Sequence, residues 1–257
     1  MDDTQSDLAL LLGGRLQLRQ PLKGAHRAGT DAVLLAAAAG HPEGLLIDLG
    51  AGVGTAGLAV ARRCPELRVL LIEVDGSTAA FARENIGLNG LSGQAEVIEA
   101  DALSSASRRK AGLDGLKADA LLTNPPWYAA GQTRISPNAD RARAHTGISS
   151  QDDPDGLGAW LRAVASLTRP GARVVMILHA SQLATLLPAC KGRLGALRLM
   201  PIHARAEGPA IRLLVSGIRG SRAPLTLLPA LVLHEADGSF TERIEAISRG
   251  EALLDLG

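Results

Sequence analysis

Leu45-Leu46-Ile47-Asp48-Leu49-Gly50-Ala51-Gly52-Val53-Gly54 is the stretch on which the fold turns. A short apolar run, an acidic residue and glycines at alternate positions open an Ala-rich segment, and this order predicts a buried strand, a tight turn and a helix over about Val53 to Arg63. Glycines in such a turn reach positive φ and let the backbone approach a ligand closely. About 20 residues further on, a second strand is predicted from Arg68 to Val74, with Glu73 and Asp75 at its end as acceptors for ribose hydroxyls. A third, Ala95 to Glu99, leads into Ala100-Asp101, where a carboxylate could read an adenine amino group. Strands alternating with helices define an α/β, Rossmann-like chain with a mostly parallel sheet, and the strand ends of such a sheet converge on one crevice.

Gly52-Val53-Gly54-Thr55-Ala56-Gly57 also satisfies the dinucleotide fingerprint, which is a weak signal by itself. Asp48 stands two residues before Gly50, close to where a pyrophosphate would lie, and that argues against a nicotinamide cofactor. An acidic residue there suits a ligand without phosphates that carries a cationic amino-acid tail. S-adenosylmethionine fits that description.

Asn124-Pro125-Pro126-Trp127 directly follows the apolar run Ala118 to Thr123, at the end of a predicted fourth strand. The Asn124 side-chain oxygen and the Pro125 carbonyl are two acceptors, and neither proline offers a competing N–H. Two acceptors on the two hydrogens of a planar NH2 group would draw its nitrogen toward a more tetrahedral, more nucleophilic form. Trp127 adds a stacking face worth about 1 to 3 kcal/mol to a base. Only five of the 257 residues are aromatic (Phe81, Trp127, Tyr128, Trp160, Phe240), and two of them adjoin here. A Pro-Pro turn anchored by a half-buried Trp127 explains the tetrapeptide equally well when it is taken alone. Beside the Asp48 to Gly54 turn, the amine clamp of a methyltransferase is the better reading.

Leu18 to Ala36 (with Gln20-Pro21, Gly29-Thr30-Asp31), the Asp48 to Gly54 turn, Asn124 to Trp127 and Gly208-Pro209-Ala210-Ile211-Arg212 together resemble the bacterial tRNA adenine N6-methyltransferases that modify the anticodon loop of a valine tRNA. The likeness runs from about residue 8 to residue 245. The Asn-Pro-Pro-aromatic motif is shared with DNA adenine, rRNA guanine N2 and release-factor glutamine methyltransferases, and the Gln-Pro to Asp31 segment is the more selective signal. The resemblance implies a class I methyltransferase fold with a seven-stranded, mostly parallel sheet, an antiparallel edge hairpin and a small N-terminal β-hairpin appendage. It implies S-adenosylmethionine held by Asp48, Gly50, Ala51, Gly52, Gly54 and Glu73, with Asp31 lying against the cofactor; the strand-end reading adds Asp101 near its base. It implies catalysis by Asn124, Pro125, Pro126 and Trp127, on a tRNA adenine. Position 127 is more often Tyr in that family, which leaves stacking intact and alters the pocket's shape. Protein-glutamine and rRNA guanine N2 methylation, and a noncatalytic S-adenosylmethionine- or RNA-binding module, are the alternatives.

Residues 129–158 are rich in Ser, Asn, Asp and Gly, and Arg134, Arg141 and Arg143 in that stretch are candidates for RNA phosphate contacts. Pairing with Asp140, Asp152, Asp153 and Asp155 is the plainer account of any one of them. A net charge of +1 argues against nonspecific coating of nucleic acid without excluding a local basic patch. The acidic start (Asp2, Asp3, Asp7) and the lack of an apolar run of about 18 residues point away from a signal peptide or membrane anchor, hence to a cytoplasmic enzyme. Cys64 and Cys190 lack paired spacing, and the six histidines lack ligand spacing, so no metal is expected. Nothing in the pattern speaks to oligomeric state.

The chain divides into a hairpin at 1–28, turning at Gly13-Gly14, and a methyltransferase domain at 29–257. Thr30 is a predicted N-cap for a helix to Ala39, with Asp31 in its first turn. Further helices are predicted over Ser77 to Leu88, Pro154 to Leu167 and Gln182 to Ala189, and further strands over Arg173 to Leu178, Leu197 to His203 and Ile211 to Ile218. Arg169-Pro170-Gly171 reads as a turn, and Arg108-Arg109-Lys110 as an exposed connection.

Overall fold

The computed structural model describes residues 6–21, 29–126 and 156–257. Strands β1 (Ser6–Leu11) and β2 (Leu16–Pro21) form an antiparallel hairpin around Gly13-Gly14. Then follow α1 (Thr30–Ala38), β3 (Leu45–Leu49), α2 (Thr55–Arg63), β4 (Arg68–Glu73), α3 (Gly76–Leu88), β5 (Ala95–Glu99), α4 (Ser105–Lys110) and β6 (Ala118–Thr123). The second half holds α5 (Leu157–Leu167), β7 (Thr168–His179), α6 (Leu183–Cys190), β8 (Leu194–His203), β9 (Ala210–Arg219), the two-residue strands β10 (Thr226–Leu227) and β11 (Leu231–Val232), and α7 (Glu242–Ser248).

The main sheet runs β10-β8-β9-β7-β6-β3-β4-β5, with β11 also on β8. Five neighbouring strands, β7-β6-β3-β4-β5, are parallel, and β9 enters antiparallel between β7 and β8. This is the Rossmann-like methyltransferase arrangement, with nine strands rather than seven because the apolar tail adds β10 and β11 outside the antiparallel pair.

Strand periodicity of two sorts side chains between two layers. Leu46, Val69, Leu71, Ala120 and Leu122 join α1, α2, α3 and the β2 residues Leu16 and Leu18 in one core. Ile47, Leu49, Leu70, Ile72 and Leu121 join α5 and α6 in the other. Because both faces are covered, β3 is buried along nearly its whole length, which is why its sequence is an unbroken apolar run save Asp48. The hairpin is tied to α3 by amide side chains. Asn85 accepts from Arg19 N at 2.6 Å and donates to Arg19 O at 3.0 Å, and Asn89 brackets Gln17 in the same way.

Three local expectations are corrected. Thr30 is the first residue of α1, not its cap; Gly29 occupies the cap, and its carbonyl accepts from Ala32 N and Val33 N. Arg169-Pro170-Gly171 lies within β7 as a bulge, because Thr168 already pairs with Ala118 before Gly171 turns at φ +82° and Arg173 pairs with Ala120. Arg108-Arg109-Lys110 forms the last turn of α4, where cations complement the helix dipole and Arg108 reaches the Ala102 carbonyl.

Candidate active site

The parallel strands β3, β4, β5 and β6 all end on one edge of the sheet, and the turn after β3 is its centre. Gly50 and Ala51 both donate to the Ile72 carbonyl of β4, at 2.9 and 3.0 Å. Gly50 adopts φ +71° and Gly54 φ +91°, conformations that L side chains rarely take. A Cβ at Gly54 would stand 2.9 Å from a Leu71 methyl, whereas one at Gly52 would meet nothing within 4 Å, so the turn has an open face.

Glu73 braces this turn. One carboxylate oxygen accepts from Gly52 N at 2.9 Å, and the other from Val74 N and Asp75 N, each at 2.9 Å. A carboxylate offers about four acceptor positions, so one is left for a ligand hydroxyl. Asp75, the other expected ribose acceptor, caps α3 through Thr78 N at 2.8 Å. Burial opposes its ionisation, but hydrogen bonds from Ser77 and Thr78 outweigh this and hold its carboxyl below the ordinary range. Asp101 accepts from Leu103 N at 2.9 Å in the turn after β5.

Asp48 sits under the turn rather than on it. Strand alternation puts its side chain in the layer beneath α2, 3 % exposed, where one oxygen accepts from Gly57 N at 2.7 Å. Burial is the main reason its pKa rises from 3.8 to about 7; the Gly57 bond pulls it down and the charge of Glu73 pushes it up. Asp31 stands in the first turn of α1, its carboxylate bound by the Arg212 guanidinium of β9 at 2.8 Å. The Arg212 partnership is invisible to motif reading because the two residues lie 181 positions apart.

Asn124, Pro125 and Pro126 follow β6 directly, and Thr123, the last residue of β6, pairs with Leu49 of β3. Adjacent strands lie about 4.8 Å apart, so Asn124 leaves the sheet beside Gly50. Asn124 is half-buried and Pro125 buried. Neither the Asn124 amide nor the Pro125 carbonyl has a hydrogen-bond partner among the described residues. Trp127, Arg134, Arg141 and Arg143 lie outside the described residues. Two residues absent from the motif reading complete the floor: Thr123, whose hydroxyl donates to the Leu49 carbonyl at 2.8 Å, and Trp160 of α5, whose indole N–H donates to Thr123 Oγ1 at 2.9 Å. The scarcity of aromatics was the one signal pointing to Trp160. Among the described residues no group of three or more His, Cys, Asp or Glu could hold a metal, and no helix is long and apolar enough to cross a membrane.

A glycine turn with an open face, a carboxylate bracing it and a polar pair on the next strand define the cofactor edge of a Rossmann-like transferase. The family model of the small methyltransferase domain matches residues 27–140. The tRNA1(Val) (adenine(37)-N6)-methyltransferase of Aeromonas hydrophila is 28% identical over 222 residues, 85% of this chain and 87% of that protein. Ribosomal RNA small subunit methyltransferase C of Pseudomonas fluorescens is 40% identical over 92 residues, 36% of this chain, which spans only 25% of that protein's length. A solved structure from Agrobacterium tumefaciens, described as a predicted O-methyltransferase, is 31% identical with a TM-score of 0.71, covering 87% of this chain and 98% of that one. The chain belongs to the class I S-adenosylmethionine-dependent methyltransferases and carries their small methyltransferase domain.

Proposed function

We propose that this enzyme methylates the exocyclic N6 amine of an adenine in RNA, in the anticodon loop of a tRNA, within the cytoplasm. The observation that carries the reading is the pair of acceptors, the Asn124 amide oxygen and the Pro125 carbonyl, which follow β6 beside the cofactor turn and have no hydrogen-bond partner among the described residues. An NH2 group has two hydrogens and engages both acceptors; a hydroxyl has one, which disfavours O-methylation at this site. The tRNA reading is supported by similarity that spans most of both chains for the tRNA1(Val) enzyme and only a quarter of the rRNA enzyme. Residues 29–257 form the methyltransferase domain and residues 1–28 its appendage in this proposal, with the described hairpin of β1 and β2 packed on α3.

The turn fits S-adenosylmethionine. Gly52 leaves room for the ligand, Glu73 retains an acceptor position for a ribose hydroxyl, and Asp101, just after β5 on the same edge of the sheet, offers a carboxylate for an adenine amino group. Bound there, the cofactor supplies an electrophilic methyl group. Asn124 and the Pro125 carbonyl orient the amine so that its lone pair faces that methyl, and holding the reactants in place lowers the barrier. The proton shed by the methylated nitrogen passes to water, so the clamp needs no strong base.

Incubation with methyl-labelled S-adenosylmethionine and unmodified valine tRNA, followed by nucleoside digestion, tests this reading. Labelled N6-methyladenosine is expected. Asn124→Ala should lose most turnover while binding S-adenosylhomocysteine as the wild type does. Equal losses of turnover and cofactor affinity would contradict the clamp, and label on rRNA or on a release-factor glutamine in place of tRNA would overturn the substrate.

A further inference from the structure

Trp160 joins the two halves of the site. It stands in the first turn of α5, its backbone N–H donating to the Gly156 carbonyl at 3.0 Å. Its indole N–H donates to Thr123 Oγ1 at 2.9 Å, and the Thr123 hydroxyl, fully buried, passes its own hydrogen to the Leu49 carbonyl at 2.8 Å. The apolar Cζ2–Cη2 edge of the same ring lies against Gly50, where a Cβ would stand 3.2 Å from both atoms. Thr123 immediately precedes Asn124, and Leu49 immediately precedes Gly50. One side chain thus holds the root of the clamp by its polar end and the root of the cofactor turn by its apolar end.

We propose that Trp160 is a positioning residue that sets the distance between the cofactor turn and the amine clamp, acting through Thr123. This rests on the clamp reading given above. Reacting atoms must be held about 3 to 3.5 Å apart, and a displacement of about 1 Å can cost a factor of about 100. A buried indole N–H requires an acceptor, and a hydroxyl that both accepts and donates transmits that constraint to the neighbouring strand end. A tryptophan that only filled the core beside α5 would matter for stability and would leave the spacing between the two half-sites unaffected.

The test compares wild type, Trp160→Phe, which keeps a ring and removes the N–H, and the near-isosteric Thr123→Val, alone and combined. Two ligands are titrated by calorimetry: S-adenosylhomocysteine, which needs only the turn, and a bisubstrate probe in which a short linker joins the S-adenosyl half to N6 of adenosine. In the wild type the probe should bind more tightly than S-adenosylhomocysteine. In Trp160→Phe that advantage should fall about tenfold, with S-adenosylhomocysteine affinity changed less than about twofold and kcat on tRNA reduced by a similar factor. Thr123→Val should behave alike, and the double variant should fall no further than either single one. An undiminished probe advantage in Trp160→Phe, or S-adenosylhomocysteine affinity that falls in parallel, would overturn the relay alone. A wild type that gains nothing from the tethered adenine would refute the amine clamp itself, and the relay with it.

Discussion

Replacing Asp48 by Asn should stabilise the ligand-free chain at high pH and do little at low pH. The carboxyl is 3 % exposed with one backbone donor, and its pKa stands at about 7 against an ordinary 3.8. Because the folded value is raised, the native chain keeps the proton across a window in which the unfolded chain has lost it. Stability is undiminished below the unfolded pKa, declines as pH climbs above 3.8, and reaches its full deficit above about 7. At about 1.4 kcal/mol per pKa unit, the deficit is on the order of 4 kcal/mol at pH 8 and roughly 0.5 kcal/mol at pH 4. Asparagine cannot ionise, yet its oxygen can still accept from Gly57 N. Urea unfolding of both proteins at pH 4 and pH 8 should therefore show Asp48→Asn ahead by several kcal/mol at the higher pH only, with m unchanged. A gain of equal size at both pH values, or a more stable wild type at pH 8, would refute the argument. The same charge should aid a cationic ligand, so wild-type affinity for S-adenosylmethionine should rise from pH 6 to pH 8 while that of Asp48→Asn stays flat.

Asp31→Asn breaks an ion pair whose side chains are 29 and 33 % exposed, and should cost no more than about 1 kcal/mol by chemical denaturation. A tenfold loss of cofactor affinity in that variant, measured by calorimetry, would assign Asp31 to the cofactor rather than to the α1–β9 pairing. Gly50→Ala forces a side chain to φ +71° and against the Trp160 ring; it should cost about 1 to 2 kcal/mol of stability and weaken S-adenosylhomocysteine binding, and unaltered affinity would contradict the turn's role. Asn85→Ala strands the Arg19 amide and carbonyl and the Val53 carbonyl, so a loss of about 1 to 3 kcal/mol in urea unfolding is expected; an unchanged midpoint would mean the hairpin does not brace the turn. Replacing Arg141 and Arg143 together by Ala should flatten the salt dependence of RNA binding by a slope of about 1 to 2, and an unchanged slope would remove them from the phosphate contacts.

The glycine turn and the strand end at Asn124-Pro125-Pro126 were legible in sequence because each is a contiguous stretch whose residue types have few other uses. Alternate glycines after Leu45 to Leu49 require positive φ, and a Pro-Pro step after Ala118 to Thr123 must end a strand. The strand at Ala118 to Thr123 follows the predicted bounds because local apolar patterning suffices when both sheet faces are covered, and the half-exposed edge strand at Ala95 to Glu99 keeps its predicted bounds as well. Local reading failed where pairing decided the outcome. Arg169-Pro170-Gly171 has turn chemistry, but Thr168 finds a ladder partner in Ala118 and the strand absorbs the bend as a bulge. Leu227 and Leu231 are held in two-residue strands only because β8 offers a free edge.

From the sequence alone came the alternation of strands and helices from β3 to β6 apart from α4, the glycine turn and the strand end at Asn124, since these depend on neighbours within a few residues. Tertiary structure alone decided what each charged or aromatic side chain meets. It buried Asp48 beneath α2, engaged three acceptor positions of Glu73 on backbone amides, joined Asp31 to Arg212 and set Trp160 between Gly50 and Thr123. Apart from the Glu73 bonds to Val74 N and Asp75 N, those contacts join separate segments of the chain, and they exist only once sheet register and helix packing have fixed which strand ends stand side by side.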